Sequence, residues 1–179
     1  KMFKALILMK FIISSFGKKT ITSLMADDIV NNCIFLETDR DKKKIFNRIR
    51  KELKSNTKCI TVTDYGKGSK IFKGNVRRVS RIARYAGIRR RKGELLIRLI
   101  NYLKPENILE IGTSVGLGTS CLALGHKNSN IITLEGCPET INIAKDIFLK
   151  FDFKKINAVV GRFEETLPHI LLNKKFDFI

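Results

Sequence analysis

The chain has 179 residues, 44% of them hydrophobic and 29% charged, and its 35 Lys and Arg against 17 Asp and Glu leave a net charge of +18. That is enough apolar material for one ordinary domain with a real core, and the balance is soluble and strongly basic. Cys33, Cys59, Cys121 and Cys137 contain no C-x-x-C spacing, which suggests neither a zinc site nor a disulfide framework and reads as reduced, buried thiols of a cytoplasmic protein.

The apolar centre of residues 1–16, KMFKALILMKFIISSF, is interrupted by Lys10 and is far short of the ~20 residues a membrane span requires. Gly17-Lys18-Lys19 is a poor signal-peptide cleavage site, so an amphipathic helix packed on the domain or on a partner is expected. Helices are also expected over Thr20–Cys33 and Thr38–Lys54, the second with Asp39 and Asp41 near its start and Ile45, Phe46, Ile49 and Leu53 on one face. Cys59–Val62 is β-like and runs into a glycine loop, Asp64-Tyr65-Gly66-Lys67-Gly68-Ser69, which lacks a following strand with a terminal acid and reads as an exposed loop able to close over a ligand. Basic helical sequence follows from Asn75 to Arg84, with a turn at Gly87. A further helix over Arg89–Lys104 carries Leu95, Leu96, Leu99, Ile100 and Leu103 on one face and is stopped by Pro105.

From Ile108 the pattern changes. Ile108-Leu109-Glu110-Ile111 suits a buried parallel strand, which breaks at Gly112 into a loop carrying Gly116 and Gly118 and then a short helix, Thr119–Leu124, ending at Gly125. A strand, a glycine turn and a helix in that order form a ligand site, because glycine lets the backbone approach a bound molecule and the first helical turn offers unpaired N–H groups. The spacing disfavours a dinucleotide fingerprint, since Ser114 and Cys121 stand where glycines are needed, and a Walker A loop, since Leu117-Gly118-Thr119 stands where Gly-Lys-Ser is needed. Asn130–Glu135 is a second apolar strand ending in an acid, at a distance from Gly112 suited to a carboxylate that binds ribose hydroxyls. A helix begins at Pro138, a third strand spans Ile156–Val160 and ends in Gly161-Arg162-Phe163-Glu164, another helix runs to Leu172, and Phe176–Ile179 reads as a fourth strand. Of the two histidines, His126 follows the helix cap Gly125 and reads as a helix-end residue, and His169, on the helix after the third strand, is a candidate general base.

Glu110-x-Gly112-x-x-x-Gly116, Glu135 at the end of the second strand and Gly161-Arg162-Phe163-Glu164 after the third resemble, in that order, motifs of the class I S-adenosylmethionine-dependent methyltransferases. The approach to the first strand, Lys92-Gly93-x-Leu95-Leu96 and then Pro105 and ILEIGT, resembles the O-methyltransferase branch related to catechol O-methyltransferase. The resemblance covers residues 89–179. It implies an α/β, Rossmann-like methyltransferase fold of which this chain holds the first four parallel strands, preceded by a basic, mainly helical N-terminal extension over residues 1–88.

By the same resemblance, Gly112, Thr113, Ser114 and Gly116 would line the methionine end of S-adenosylmethionine, Glu110 would face its ammonium group, Glu135 would hold the ribose, and Arg162 and Phe163 would flank adenine. Arg162 stands where relatives often carry a small or acidic residue. No catalytic residue is assigned. In metal-dependent relatives an acid after the fourth strand binds a divalent metal, and its equivalent would lie just beyond Ile179. The chain, which starts at Lys1 and ends in a strand without a successor, reads as a fragment that would be inactive alone.

Residues 1–104 hold 27 basic and 8 acidic residues, whereas residues 105–179 hold 8 and 9, so the basicity is N-terminal. Clusters at Lys42-Lys43-Lys44, Arg77-Arg78 and Arg89-Arg90-Arg91-Lys92 suit an acidic surface or nucleic acid. The leading expectation is an O-methyltransferase acting on a small molecule. The alternatives are an RNA methyltransferase that grips phosphates through its N-terminal region, and a non-catalytic basic nucleic-acid-binding protein built on a degenerate scaffold.

Overall fold

The computed structural model describes residues 28–66, 68–69 and 71–179. The helix expected over residues 1–16 and the first part of that over Thr20–Cys33 lie outside the described residues. Within residues 28–36 the chain makes one wide helical turn, Val30–Ile34. Residues Glu37–Ile179 form one compact unit.

That unit begins with helix α1, Arg40–Ser55, whose N-cap Asp39 accepts the backbone N–H groups of Asp41 and Lys42 at 3.1 and 3.0 Å. The cap satisfies donors that an open helix end leaves bare, and Asp41 in the first turn suits the positive end of the helix dipole. Phe46, Ile49 and Leu53 are fully buried. Strands β1, Cys59–Thr61, and β2, Val76–Arg78, pair antiparallel, and a short helix α2, Val79–Tyr85, follows directly. The helix expected from Asn75 therefore starts at Val79. Its first residues serve instead as the partner edge for β1, where Val62 N–H donates to Asn75 at 2.8 Å and Val79 N–H to Lys58 at 2.9 Å.

Helix α3, Arg90–Leu103, leads into strand β3, Asn107–Ile111, which is followed by α4, Leu117–Gly125, β4, Asn130–Glu135, α5, Pro138–Lys150, β5, Ile156–Val160, and α6, Phe163–Asn173. The three strands form a parallel sheet in the order β3-β4-β5, with Ile108 opposite Ile131 and Leu134 opposite Val159. The expected fourth strand is present as a single parallel bridge from Phe178 to Ile108 on the free side of β3. Asp177 strengthens that edge, its carboxylate accepting the N–H groups of Glu106 and Asn107 at 3.0 and 2.9 Å.

Alternation along β3 and β4 sends side chains to both faces of the sheet. Ile108 and Ile131 meet Leu122 and Ala123 of α4 on one face, whereas Leu109, Ile132 and Leu134 meet Phe163, Leu167 and Ile170 of α6 on the other. The main core lies on the first side, where Phe46, Ile49, Ile60, Val79 and Ile82 from residues 37–88 pack with Leu117, Cys121, Ala144 and Phe148. The packing thus runs continuously across residue 88. Of the four cysteines expected to be buried, Cys59 is exposed, because alternation along β1 turns Ile60 inward and Cys59 outward.

Helix α3 is rotated from its expected orientation: its buried positions are Gly93, Ile97 and Ile100, while Leu103 is exposed. Gly93 sets the rotation, because a Cβ there would stand 2.3 Å from the Phe46 ring and 3.1 Å from the Cys121 sulfur. Lys42 of α1 completes the layer by donating to the Gly125 carbonyl at 2.8 Å, a cation at the negative end of α4. Phe46→Ala should lower unfolding free energy by about 3–5 kcal/mol in urea titration, since the helix contacts around this fully buried ring cannot close into the space it leaves.

Candidate cofactor site

The carboxyl ends of β3 and β4 carry the two acids singled out in the sequence. Between them the loop Gly112–Gly116 turns sharply, with positive φ at Gly112 (101°), Ser114 (49°) and Gly116 (83°). Gly116 is the N-cap of α4, and a Cβ on it would come within 2.9 Å of the Phe148 ring, so only glycine lets the loop lie this close to α5. At Gly112 a Cβ would meet nothing within 4 Å. The first glycine faces open space at the sheet end, whereas the second is packed.

Glu135 holds this loop. One carboxylate oxygen accepts the Ser114 N–H at 2.6 Å and the other accepts the Cys137 N–H at 3.0 Å, so one side chain ties the β3 loop to the start of α5. The backbone supports the same junction, with Gly112 and Thr113 N–H both donating to the Leu134 carbonyl at 2.9 and 3.0 Å.

Glu110 lies deeper, between β4 and α4. Its Oε2 accepts the hydroxyls of Thr119 at 2.5 Å and Thr133 at 2.7 Å. Thr133 stands 2.6 Å from the Thr113 hydroxyl, and since its single proton goes to Glu110, Thr113 is the donor in that pair. Thr113, which was expected to face the methionine end, is buried in this chain of hydroxyls. Burial pushes the Glu110 carboxyl up to about 7; the two threonine bonds oppose the shift, and the negative charge of Glu135 adds to it.

Arg162 and Phe163 follow β5, where Gly161 N–H donates to the Glu135 carbonyl at 3.1 Å. Phe163 is half-buried against Leu109, Ile132 and Leu134, while the Arg162 guanidinium extends over the Tyr65 ring at 5.5 Å. A cleft of about 320 Å³ opens here, lined by Thr63, Tyr65, Glu135, Gly136, Arg162 and Phe163. The glycine loop after β1 is therefore its opposite wall, and Tyr65 is among the lining residues that motif spacing missed. A hollow of about 550 Å³ lies at the other end of the strands, by Asn107 and Asn130, but in open parallel sheets ligands bind outside the carboxyl ends.

His126 caps α4 and meets the Ser129 hydroxyl at 3.1 Å, and His169 is exposed on α6. Among the described residues no group of three His, Cys, Asp or Glu is placed to hold a metal ion, and no helix is long and apolar enough to cross a membrane.

The basic clusters are divided in their use. Lys42 turns inward to α4, and Arg77 is buried in an ion pair with Asp64. Arg40, Lys43, Lys44, Arg48 and Lys51 line one groove along α1.

No protein-family model matches the chain. The chain is similar to the SAH-bound methyltransferase PaMTH1 of Podospora anserina, with a TM-score of 0.52 and 21% identity over 89% of this chain and 58% of that one. It also superposes on a cofactor-bound protein from MTB with a TM-score of 0.50 and 20% identity, over 78% of this chain and 51% of the other. The fold is the Rossmann-like methyltransferase fold.

Within that methyltransferase fold, the sequence is 31% identical over 80 residues to a transmembrane O-methyltransferase of Propithecus coquereli, covering 43% of this chain and 29% of that protein. It is 24% identical over 84 residues to the ribosomal RNA small subunit methyltransferase G of Lachnoclostridium phytofermentans, covering 47% and 35% respectively. The chain thus spans about a third of the length of these curated relatives.

The titration of Glu110 has a consequence for stability. Its folded-state value lies above the ordinary carboxylate value of 4.5, so the folded state binds more protons than the unfolded one between about pH 4.5 and pH 7. Unfolding free energy should fall as pH rises through that window, by about 1 kcal/mol per pH unit at its middle, and level off above it. Chemical denaturation of wild type and Glu110→Gln across this range checks the slope, which the substitution should remove.

Proposed function

We propose that this chain carries the cofactor-binding part of an S-adenosylmethionine-dependent methyltransferase of the O-methyltransferase kind, with a small molecule as methyl acceptor. The observation that carries this reading is the pairing of two strand-end carboxylates, Glu110 and Glu135, around a positive-φ loop whose first glycine faces open space. The residues fit such a cofactor chemically. Gly112, Ser114 and Gly116 form a close-approach turn for the methionine end, with Thr113 holding the turn from beneath. Glu110, in its ionised form, would offer negative charge toward an ammonium group, Glu135 can accept ribose hydroxyls, and Arg162 and Phe163 stand beside the cleft that would take adenine.

When bound, S-adenosylmethionine would supply an electrophilic methyl group on a sulfonium. This chain's own residues would then bind and orient the two reactants and exclude water, which is where most of the rate advantage of an in-line transfer arises. Glu135 has a double task. Its carboxylate already anchors Ser114 and Cys137, so the group that would take ribose also shapes the loop around it.

Titration calorimetry with S-adenosylhomocysteine tests the reading. Wild type should bind, and Glu135→Gln should weaken binding roughly tenfold or more, the scale of one hydrogen bond to a charged group. Gly112→Val should weaken it as well, by placing a side chain in the open space at the sheet end. A folded wild-type protein that gives no binding would overturn the proposal.

An RNA acceptor is the second reading, favoured by the cationic groove of α1 and by the likeness to an RNA methyltransferase. The two readings separate by salt dependence, since phosphate contacts release counterions. A small-molecule enzyme should retain no RNA at about 0.15 M salt in filter binding. Retention that is lost in Lys44→Glu/Lys51→Glu would transfer the proposal to RNA.

A further inference from the structure

The loop after β1 has no role in the motifs discussed so far, yet it is fastened at several points. Arg77 of β2 is buried and forms a two-armed ion pair with Asp64, with Nη1 to Oδ1 at 3.2 Å and Nη2 to Oδ2. The Arg77 Nε donates to the Gly74 carbonyl at 3.0 Å, and the guanidinium lies over the Phe72 ring at 4.9 Å. On the other side the Cys137 sulfur accepts the Thr63 N–H at 3.4 Å and donates to the Thr61 carbonyl at 3.7 Å. Replacing a buried ion pair by apolar groups is often neutral or stabilising, so stability alone is a weak reason for this one. What it fixes is the residue next to Asp64.

Tyr65 is 52% exposed but held in place. Its ring lies against the backbone of Gly136, where a Cβ would come within 2.8 Å, and under the Arg162 guanidinium. A large aromatic ring, half in solvent, thus forms one wall of the cleft that also contains Glu135. We infer that Tyr65 is a ligand-contacting residue whose ring takes the flat base of a bound nucleoside, and that Asp64 and Arg77 are positioning residues that hold it there. The inference deepens the cofactor reading and rests on it. An aromatic face suits a purine because stacking needs no particular hydrogen-bond pattern, and the adjacent cation strengthens the platform.

The chain contains no Trp and three Tyr, namely Tyr65, Tyr85 and Tyr102, so tyrosine emission can report on the ring directly. S-adenosylhomocysteine and adenosine should each quench that emission in wild type. Tyr65→Phe should keep calorimetric affinity within about twofold but lose most of the quench, whereas Tyr65→Ala should weaken both ligands roughly tenfold or more at unchanged Tm. Asp64→Asn should weaken them too, and the double variant Asp64→Asn/Tyr65→Ala should be no weaker than Tyr65→Ala alone, the signature of action through the ring. Unchanged affinity of Tyr65→Ala for both ligands, with wild type binding, would overturn the role of Tyr65 and leave the cofactor reading standing. Absence of binding by folded wild type would overturn both.

Discussion

The Glu110 carboxylate is enclosed between a strand and a helix, and the hydrogen bonds that reach it come from threonine hydroxyls. Burying a carboxylate is costly unless donors replace water, and here its two donors, and the third hydroxyl that supports one of them, sit on three segments that meet at this point. Thr119 belongs to α4, Thr133 to β4, and Thr113 to the loop that follows β3. The parallel register places Glu110 opposite Thr133, so a slip of one residue would turn the hydroxyl to the other face and strand the acid. The same register sets Glu135 one residue beyond the end of β3, where its carboxylate reaches back to Ser114. Both acids therefore depend on a single strand alignment.

Close packing supplies the rest of the precision. Gly116 admits Phe148 and Ala144, Gly125 admits Ile100, and Gly93 admits Phe46, each with less room than a methyl group needs. Helices α3, α4 and α5 approach one another at these points, and the loop at the head of α4 inherits their positions. Gly118 is the same device at short range: a Cβ there would stand 2.6 Å from the Glu110 carboxylate. A well-packed interior transmits such constraints because it has little free volume in which to absorb them.

Strands β4 and β5 were legible to the residue, since a short run of Ile, Leu and Val bounded by turn residues allows few other readings. Glu110 and Glu135 were legible for the same reason: strand ends are fixed by pattern, and the parallel fold brings strand ends together. The orientation of α3 was not legible, because its leucine stripe and its Gly93-Ile97-Ile100 stripe are both helical in period, and contact with Phe46 decides between them. Nor was the start of α2. Residues 76–78 carry helix-compatible side chains, and only the demand of β1 for a partner makes them a strand. Tyr65 was missed because nothing local to Asp64-Tyr65-Gly66 says that its ring will rest on Gly136, a neighbour far away in sequence.

The charge distribution follows from these arrangements. The sheet end is acidic at Glu110 and Glu135, and among the described residues two basic side chains close to the cleft are engaged: Arg77 with Asp64, and Arg162 with the Tyr65 ring and Glu164. The cationic groove lies along α1, whose inner face is committed to the core through Phe46, Ile49 and Leu53. A helix with one face fixed in the core must turn its remaining charges outward, so core packing accounts for a basic ridge at that position without any partner. Tyr65 differs in this respect. Its ring stands half in solvent at the rim of the cleft, held against Gly136 and under Arg162, so burial in the core does not account for its place there.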